Sequence, residues 1–133
     1  MTSVSTHLMF QGGRAQAALD LYASVFPGFM VVSMEKAEPD DNTPGFIKMA
    51  RVDFDGQPLI VIDSPMPHGF DFTPSMSLFV DFDAATELDR AFERLAGGGD
   101  VKMPLADYGF SARFGWLTDR FGVSWQLNLP KGK

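Results

Sequence analysis

No cysteine occurs in the 133-residue chain, which excludes disulfides, thiolate metal centres and a cysteine nucleophile. Its absence suits a reducing compartment, so a cytoplasmic protein is expected. Cationic side chains are also scarce. Eleven Lys and Arg stand against 17 Asp and Glu, the formal net charge is −6, and basic residues form no cluster. Nucleic-acid binding draws much of its affinity from Lys and Arg on phosphates, so no nucleic-acid partner is expected. No apolar run approaches the roughly 18 residues of a membrane span, and Met1 to His7 lacks a basic segment followed by a long apolar one. Neither a membrane partner nor a secretory leader is expected.

What is present is apolar and aromatic, at 45% and 13% of the residues. Roughly 100 to 200 residues is usual per domain, so the chain reads as a single domain over residues 1–133 with a real core. The strongest pattern closes it. Val123, Trp125, Leu127 and Leu129 alternate with Ser124, Gln126 and Asn128, the period of a strand with one apolar and one polar face. On a strand lining a cup, that polar face meets a ligand.

From the N-terminus, Val4, Thr6, Leu8 and Phe10 alternate with Ser5, His7 and Met9, predicting a strand over residues 4–10 with His7 opposite the aliphatic face. Gly12-Gly13 breaks it. Ala18, Leu21, Tyr22, Val25 and Phe26 make one stripe of a helix over 14–26, which Pro27-Gly28 stops. Strands follow over 29–35, 46–54 and 58–63, with a polar loop over 36–44. Asp55-Gly56 is a hairpin signal because type I′ turns need positive φ. A connector rich in proline covers 65–74. The order then repeats: a strand over 75–82, a helix capped by Asp83 and carrying Leu88, Ala91, Phe92 and Leu95, then Gly97-Gly98-Gly99. Short strands over 100–103 and 110–118 and the closing strand over 123–129 complete it.

The chain therefore reads as two βαβββ modules, one over about 4–64 and one over about 75–129. Asp53-Phe54-Asp55-Gly56 matches Asp119-Arg120-Phe121-Gly122 locally, as a duplication requires. Without strict βαβ alternation, the pattern implies an α+β fold in which a curved mixed sheet carries its helices on the outer face. A concave inner face is where small-molecule sites form.

Leu8-Met9-Phe10-Gln11-Gly12 running into Ala17-Ala18-Leu19-Asp20-Leu21-Tyr22-Ala23-Ser24-Val25-Phe26-Pro27-Gly28, together with Gly115 to Gln126, resembles the vicinal oxygen chelate superfamily of glyoxalase, bleomycin-resistance and dioxygenase proteins. Within it, the similarity is to the PhnB-like branch. The resemblance implies paired βαβββ modules, a U-shaped sheet and a homodimer. Members of the branch often carry the label 3-demethylubiquinone methyltransferase. The residues give that activity no support, since a nucleotide loop follows a strand and opens a helix, whereas Gly97-Gly98-Gly99 follows a helix.

The resemblance also implies a test for metal, because metal-dependent members take His or Glu from the first and last strands of each module. His7 fits the first position. Ser75, or Ser77 if the register slips, matches it in the second module, and a neutral hydroxyl is a poor ligand. Gln126 stands where metal enzymes place Glu, and aligning Gly56 with Gly122 sets Ile60 opposite it, with Asp63 on the other strand face. His7 and Gln126 thus read as vestigial metal positions, and no metal or other cofactor is expected. Asp107, Tyr108 and Arg113 match no acid-base or nucleophilic spacing, so catalytic residues stay unassigned. Phe79, Phe110, Phe114, Trp116 and Trp125 offer stacking surfaces or core. The expected function is small-molecule binding in a cup lined by His7, Ser75, Ser77, Ser124, Gln126 and Trp116; the alternative is a metal-dependent lyase, isomerase or dioxygenase.

Overall fold

The period-2 and helical patterns become strands and helices in a computed structural model that describes residues 1–132. The first compact unit runs from Met1 to Phe70. In it, β1 (Thr6–Phe10) leads into α1 (Ala15–Val25), followed by β2 (Phe29–Lys36), β3 (Ile47–Phe54) and β4 (Gln57–Asp63). The strands lie in the order β1-β4-β3-β2, with β1 parallel to β4 and the other pairs antiparallel. Asp55 and Gly56 have φ of 48° and 92°, the positive values a type I′ hairpin demands.

The second unit, from Asp71 onward, repeats this topology. It contains β5 (Ser77–Asp81), α2 (Ala85–Ala96), β6 (Asp100–Ala106), β7 (Arg113–Thr118) and β8 (Ser124–Leu129), in sheet order β5-β8-β7-β6. Again the first and last strands pair in parallel and the rest antiparallel. The α+β class and the two βαβββ modules are as the sequence predicts, and the unit boundary falls inside the connector expected over 65–74.

Each helix lies on one face of its own sheet, where its apolar stripe finds partners. In the first unit Ala18, Leu19 and Tyr22 are buried together with Leu8, Phe10, Leu59 and Val61. Phe54 anchors an aromatic corner, its ring 5.0 Å from Phe26 and 5.2 Å from Phe29. In the second, Leu88, Ala91, Phe92 and Leu95 are buried with Leu117, Trp125 and Leu127. Full burial of such side chains contributes about 1.5–3 kcal/mol each. Gly115 lets α2 settle, since a Cβ there would stand 2.4 Å from the Phe92 ring.

The start of α1 has no side-chain cap of its own. Asp63, from the far end of β4, supplies one: Oδ1 accepts the Ala15 N–H and Oδ2 accepts the Ile47 N–H, each at 2.9 Å. A carboxylate there satisfies an orphan donor and meets the positive end of the helix.

Several boundaries differ from the sequence reading. The cap position of α2 is Ala84 rather than Asp83, and it makes no side-chain cap bond. Val4 is exposed ahead of β1, and Ser75 lies in a turn before β5, bonded to Thr73. β6 continues through Pro104 to Ala106, where a loop was expected, because an edge strand tolerates a residue without an N–H. β7 begins only at Arg113, which leaves Phe110 in a loop. Among the described residues no helix is long and apolar enough to cross a membrane.

Candidate ligand-binding face of the second sheet

Ladder register fixes which side chains share a face, because directly paired residues in a sheet point the same way. Gly115 pairs with Leu127 and abuts Phe92, so Trp125, Leu127 and Leu129 face α2. The opposite, open face carries three rows. Ser124 pairs with Ser77 and Thr118, Gln126 with Phe79 and Trp116, and Asn128 with Asp81 and Phe114. The closing strand thus has the polar face its alternation predicts. That face is less open than expected, since Ser124 and Asn128 are buried and Gln126 is half-buried.

Four of the predicted site residues converge there in one network. The Trp116 Nε1–H donates to Ser124 Oγ at 2.9 Å, and the Ser124 and Ser77 hydroxyls meet at 2.6 Å. Gln126 Nε2 donates to Ser77 Oγ at 3.1 Å, and the Pro74 carbonyl lies 3.5 Å from Ser124 Oγ. A serine hydroxyl has one proton, so the pair has two settings. Either Ser77 donates to Ser124, whose own proton turns to Pro74, or Ser124 donates to Ser77 and the Ser77 proton turns elsewhere. In the first setting the Ser77 proton is committed to Ser124, so Ser77 accepts from Gln126 Nε2 and Gln126 Oε1 is left as an acceptor.

The other predicted residues are placed differently. His7 is exposed on β1, opposite Ile60 and on the face away from Leu8 and Phe10. Ser75 is outside the sheet and outside the network. Aligning the Gly56 and Gly122 turns makes Gln126 the counterpart of Ile60, and the parallel ladders then make Phe79 the counterpart of His7. Neither Ser75 nor Ser77 holds that position. The signal in the sequence is the pair of matching turns, from which the parallel pairing can be counted back to His7 and Phe79.

The metal positions implied by the resemblance are therefore His7, Ile60, Phe79 and Gln126. Neither His7 with Ile60 in the first unit nor Gln126 with Phe79 in the second supplies more than one donor, whereas a divalent ion needs several nitrogen or anionic oxygen donors. Among the described residues no three His, Asp or Glu side chains come together as a metal-holding group. Asp107, Tyr108 and Arg113 are each engaged separately, with the Gly109 N–H, the Pro104 carbonyl and Asp89. His68 belongs to the connector. Its Nε2 lies 2.8 Å from Ser64 Oγ, and its N–H donates to Gln11 Oε1 at 2.7 Å. The Met66 carbonyl, 2.8 Å from Ser64 Oγ, can only accept, so it takes the Ser64 proton and His68 serves as donor through Nε2–H. That orientation is the reverse of a histidine activating a serine.

Similarity to known proteins agrees with this architecture. Residues 2–128 match the family model described as 3-demethylubiquinone-9 3-methyltransferase. The PhnB protein of Bacillus cereus is 40% identical in sequence with a TM-score of 0.90, the match covering 96% of this chain and 99% of that one. Protein YjdN of Escherichia coli K12 is 32% identical over 85 residues, which is 64% of this chain and 57% of YjdN. The matched stretch thus spans little more than half of that relative. A glyoxylase/bleomycin resistance protein/dioxygenase domain from Frankia sp. EAN1pec shares the fold, with a TM-score of 0.68 at 14% identity over 100% of this chain and 96% of that one.

Proposed function

Because the chain belongs to the 3-demethylubiquinone-9 3-methyltransferase family, whose PhnB-like members have the glyoxalase fold, we propose that it binds a small organic molecule on the open face of its second sheet, without a catalytic metal. One observation carries this reading: the joined Trp116, Ser124, Ser77 and Gln126 side chains, which present oriented polar groups beside aromatic ones. Ligand sites combine a mostly apolar lining with a few placed donors and acceptors. Methyl transfer is not part of the proposal. Gly99 is needed for packing, since a Cβ there would fall 2.2 Å from the Thr118 carbonyl oxygen, and the preceding glycines follow α2 instead of opening a helix.

We take the protein to be a homodimer. The support is β2, an edge strand on which Met30, Val31, Val32 and Met34 are all exposed. Long apolar edges invite pairing with another chain.

Elemental analysis and thermal-shift screening test the proposal together. Metal content well below one ion per chain is expected, with EDTA leaving Tm unchanged. A compound at a hundredfold excess over its Kd should raise Tm by about 10 °C. Stoichiometric metal, with stabilisation by divalent ions alone, would favour the lyase, isomerase or dioxygenase class.

A further inference from the structure

Four aromatic rings form a continuous shelf on the open face of the second sheet. The Phe79 ring on β5 lies 6.2 Å from the Phe114 ring on β7, and these strands flank β8. Phe110 meets Phe114 edge-on at 5.0 Å, Tyr108 does so at 6.2 Å, and Tyr108 and Phe110 stack at 6.3 Å. Phe114 alone is buried. Phe79 is 54% exposed, Phe110 59% and Tyr108 40%. Contiguous exposed apolar patches mark interaction sites and ligand-binding grooves.

The loop side of the shelf is fixed in advance. The Tyr108 hydroxyl donates to the Pro104 carbonyl at 2.5 Å, and Asp107 Oδ1 accepts the Gly109 N–H at 2.8 Å. Phe79, by contrast, stands on an edge strand with its ring half in solvent.

Asn128 adds a polar requirement. It is 8% exposed and pairs across the ladder with Phe114 on this face. Its Nδ2 donates to Asp81 Oδ1 at 2.8 Å, while its buried Oδ1 has no partner. The carboxylate fixes the amide orientation, since exchanging the two ends would set oxygen against oxygen. The unpaired atom is therefore an acceptor.

We propose that this shelf seats a planar aromatic or heteroaromatic compound bearing an N–H or O–H donor. The compound stacks on Phe110, meets Phe114 edge-on, displaces the exposed Phe79 ring, and donates to Asn128 Oδ1. Asp81 beside that amide disfavours a ligand with its own carboxylate. This rests on the small-molecule reading above and names the ligand class.

The test titrates the full 15N-labelled chain with indole and, separately, with 1-methylindole, which has the same rings and no N–H. Indole should shift the amide resonances of Phe79, Tyr108, Phe110, Phe114 and Asn128. It should bind about tenfold more tightly than 1-methylindole, and the gap should close in Asn128→Ala. Phe110→Ala, a loop substitution that spares the core, should weaken indole about tenfold. Shifts confined to other residues would overturn the shelf while leaving small-molecule binding intact. So would equal affinity of the two probes for the unaltered chain, or loss of a dimer in Phe79→Ala or Phe110→Ala by sedimentation, which would make the shelf an interface between copies. If no compound stabilises the fold at all, the broader reading fails and takes the shelf with it.

Discussion

Asp63→Ala should unfold the first unit far more readily than any exposed carboxylate substitution. The carboxylate is 4% exposed, and its two oxygens satisfy the Ala15 and Ile47 N–H groups, both in buried bonds of 2.9 Å. Removing it strands two donors, each at a cost of about 1–3 kcal/mol. It also removes a negative charge from the α1 N-terminus, worth about 0.3–1 kcal/mol. Releasing a buried carboxylate to water offsets part of the loss, so the net destabilisation is about 3 kcal/mol. With a urea m-value of about 2 kcal/mol/M, the midpoint should fall by about 1.5 M. Asp63→Asn keeps one acceptor and turns an NH2 toward the other N–H, so it should cost about 2 kcal/mol. Asp53→Ala is the control: its Oδ1 accepts the Gly56 N–H in an exposed turn, and the loss should stay under about 1 kcal/mol. Equal midpoints for Asp63→Ala and Asp53→Ala would refute the distant cap.

Two further substitutions probe packing and assembly. Gly99→Ala places a Cβ 2.2 Å from the Thr118 oxygen and 2.9 Å from Asp119 Cα. Backbone cannot swing aside as a side chain can, so a loss of about 2–3 kcal/mol is expected, read as a Tm lower by about 10 °C; an unchanged Tm would contradict this approach of the glycine to the β7–β8 turn. Val32→Lys puts a charge on the exposed apolar edge of β2 and should raise the dissociation constant of the proposed dimer at least about tenfold in sedimentation. An unaltered dimer would place the contact elsewhere.

Local chemistry was legible in the sequence where a single turn or stripe decides the conformation. Asp55-Gly56 announces a type I′ hairpin because few other pairs accept two positive φ values, and the Leu88, Ala91, Phe92 and Leu95 stripe announces the buried face of α2. Strand ends were less legible. Alternation runs on past β5 through Ser75 and past β7 through Phe110, although the backbone there turns for reasons that a period-2 count does not register. Long-range facts were hidden for a stronger reason. Nothing near Asp63 in sequence reveals that its partners are Ala15 and Ile47, and nothing near Phe79 reveals that it pairs with Gln126 as His7 pairs with Ile60. The polar face of β8 was legible, but the unpaired Asn128 oxygen was not, because it depends on where Asp81 and Phe114 fall.

The duplicated modules have invested their polar groups in opposite places. At the end of β4, the helix side holds Asp63, bonded to the backbone of α1 and β3; the corresponding end of β8 holds Leu129, buried as hydrocarbon. On the other side the exchange runs in reverse. Ile60 and Ile62 on β4 correspond to Gln126 and Asn128 on β8, although His7 beside Ile60 corresponds to Phe79. A polar group beneath a helix is costly to remove, because its backbone partners stay buried without it. A half-buried side chain on an open face is cheap, because water replaces what is lost. Changes such as Gln126→Ala should therefore alter what the protein binds while leaving its folding nearly untouched, and changes at Asp63 should do the opposite. If the second sheet binds the small molecule proposed for it, this separation would let that ligand vary without endangering the fold that carries it.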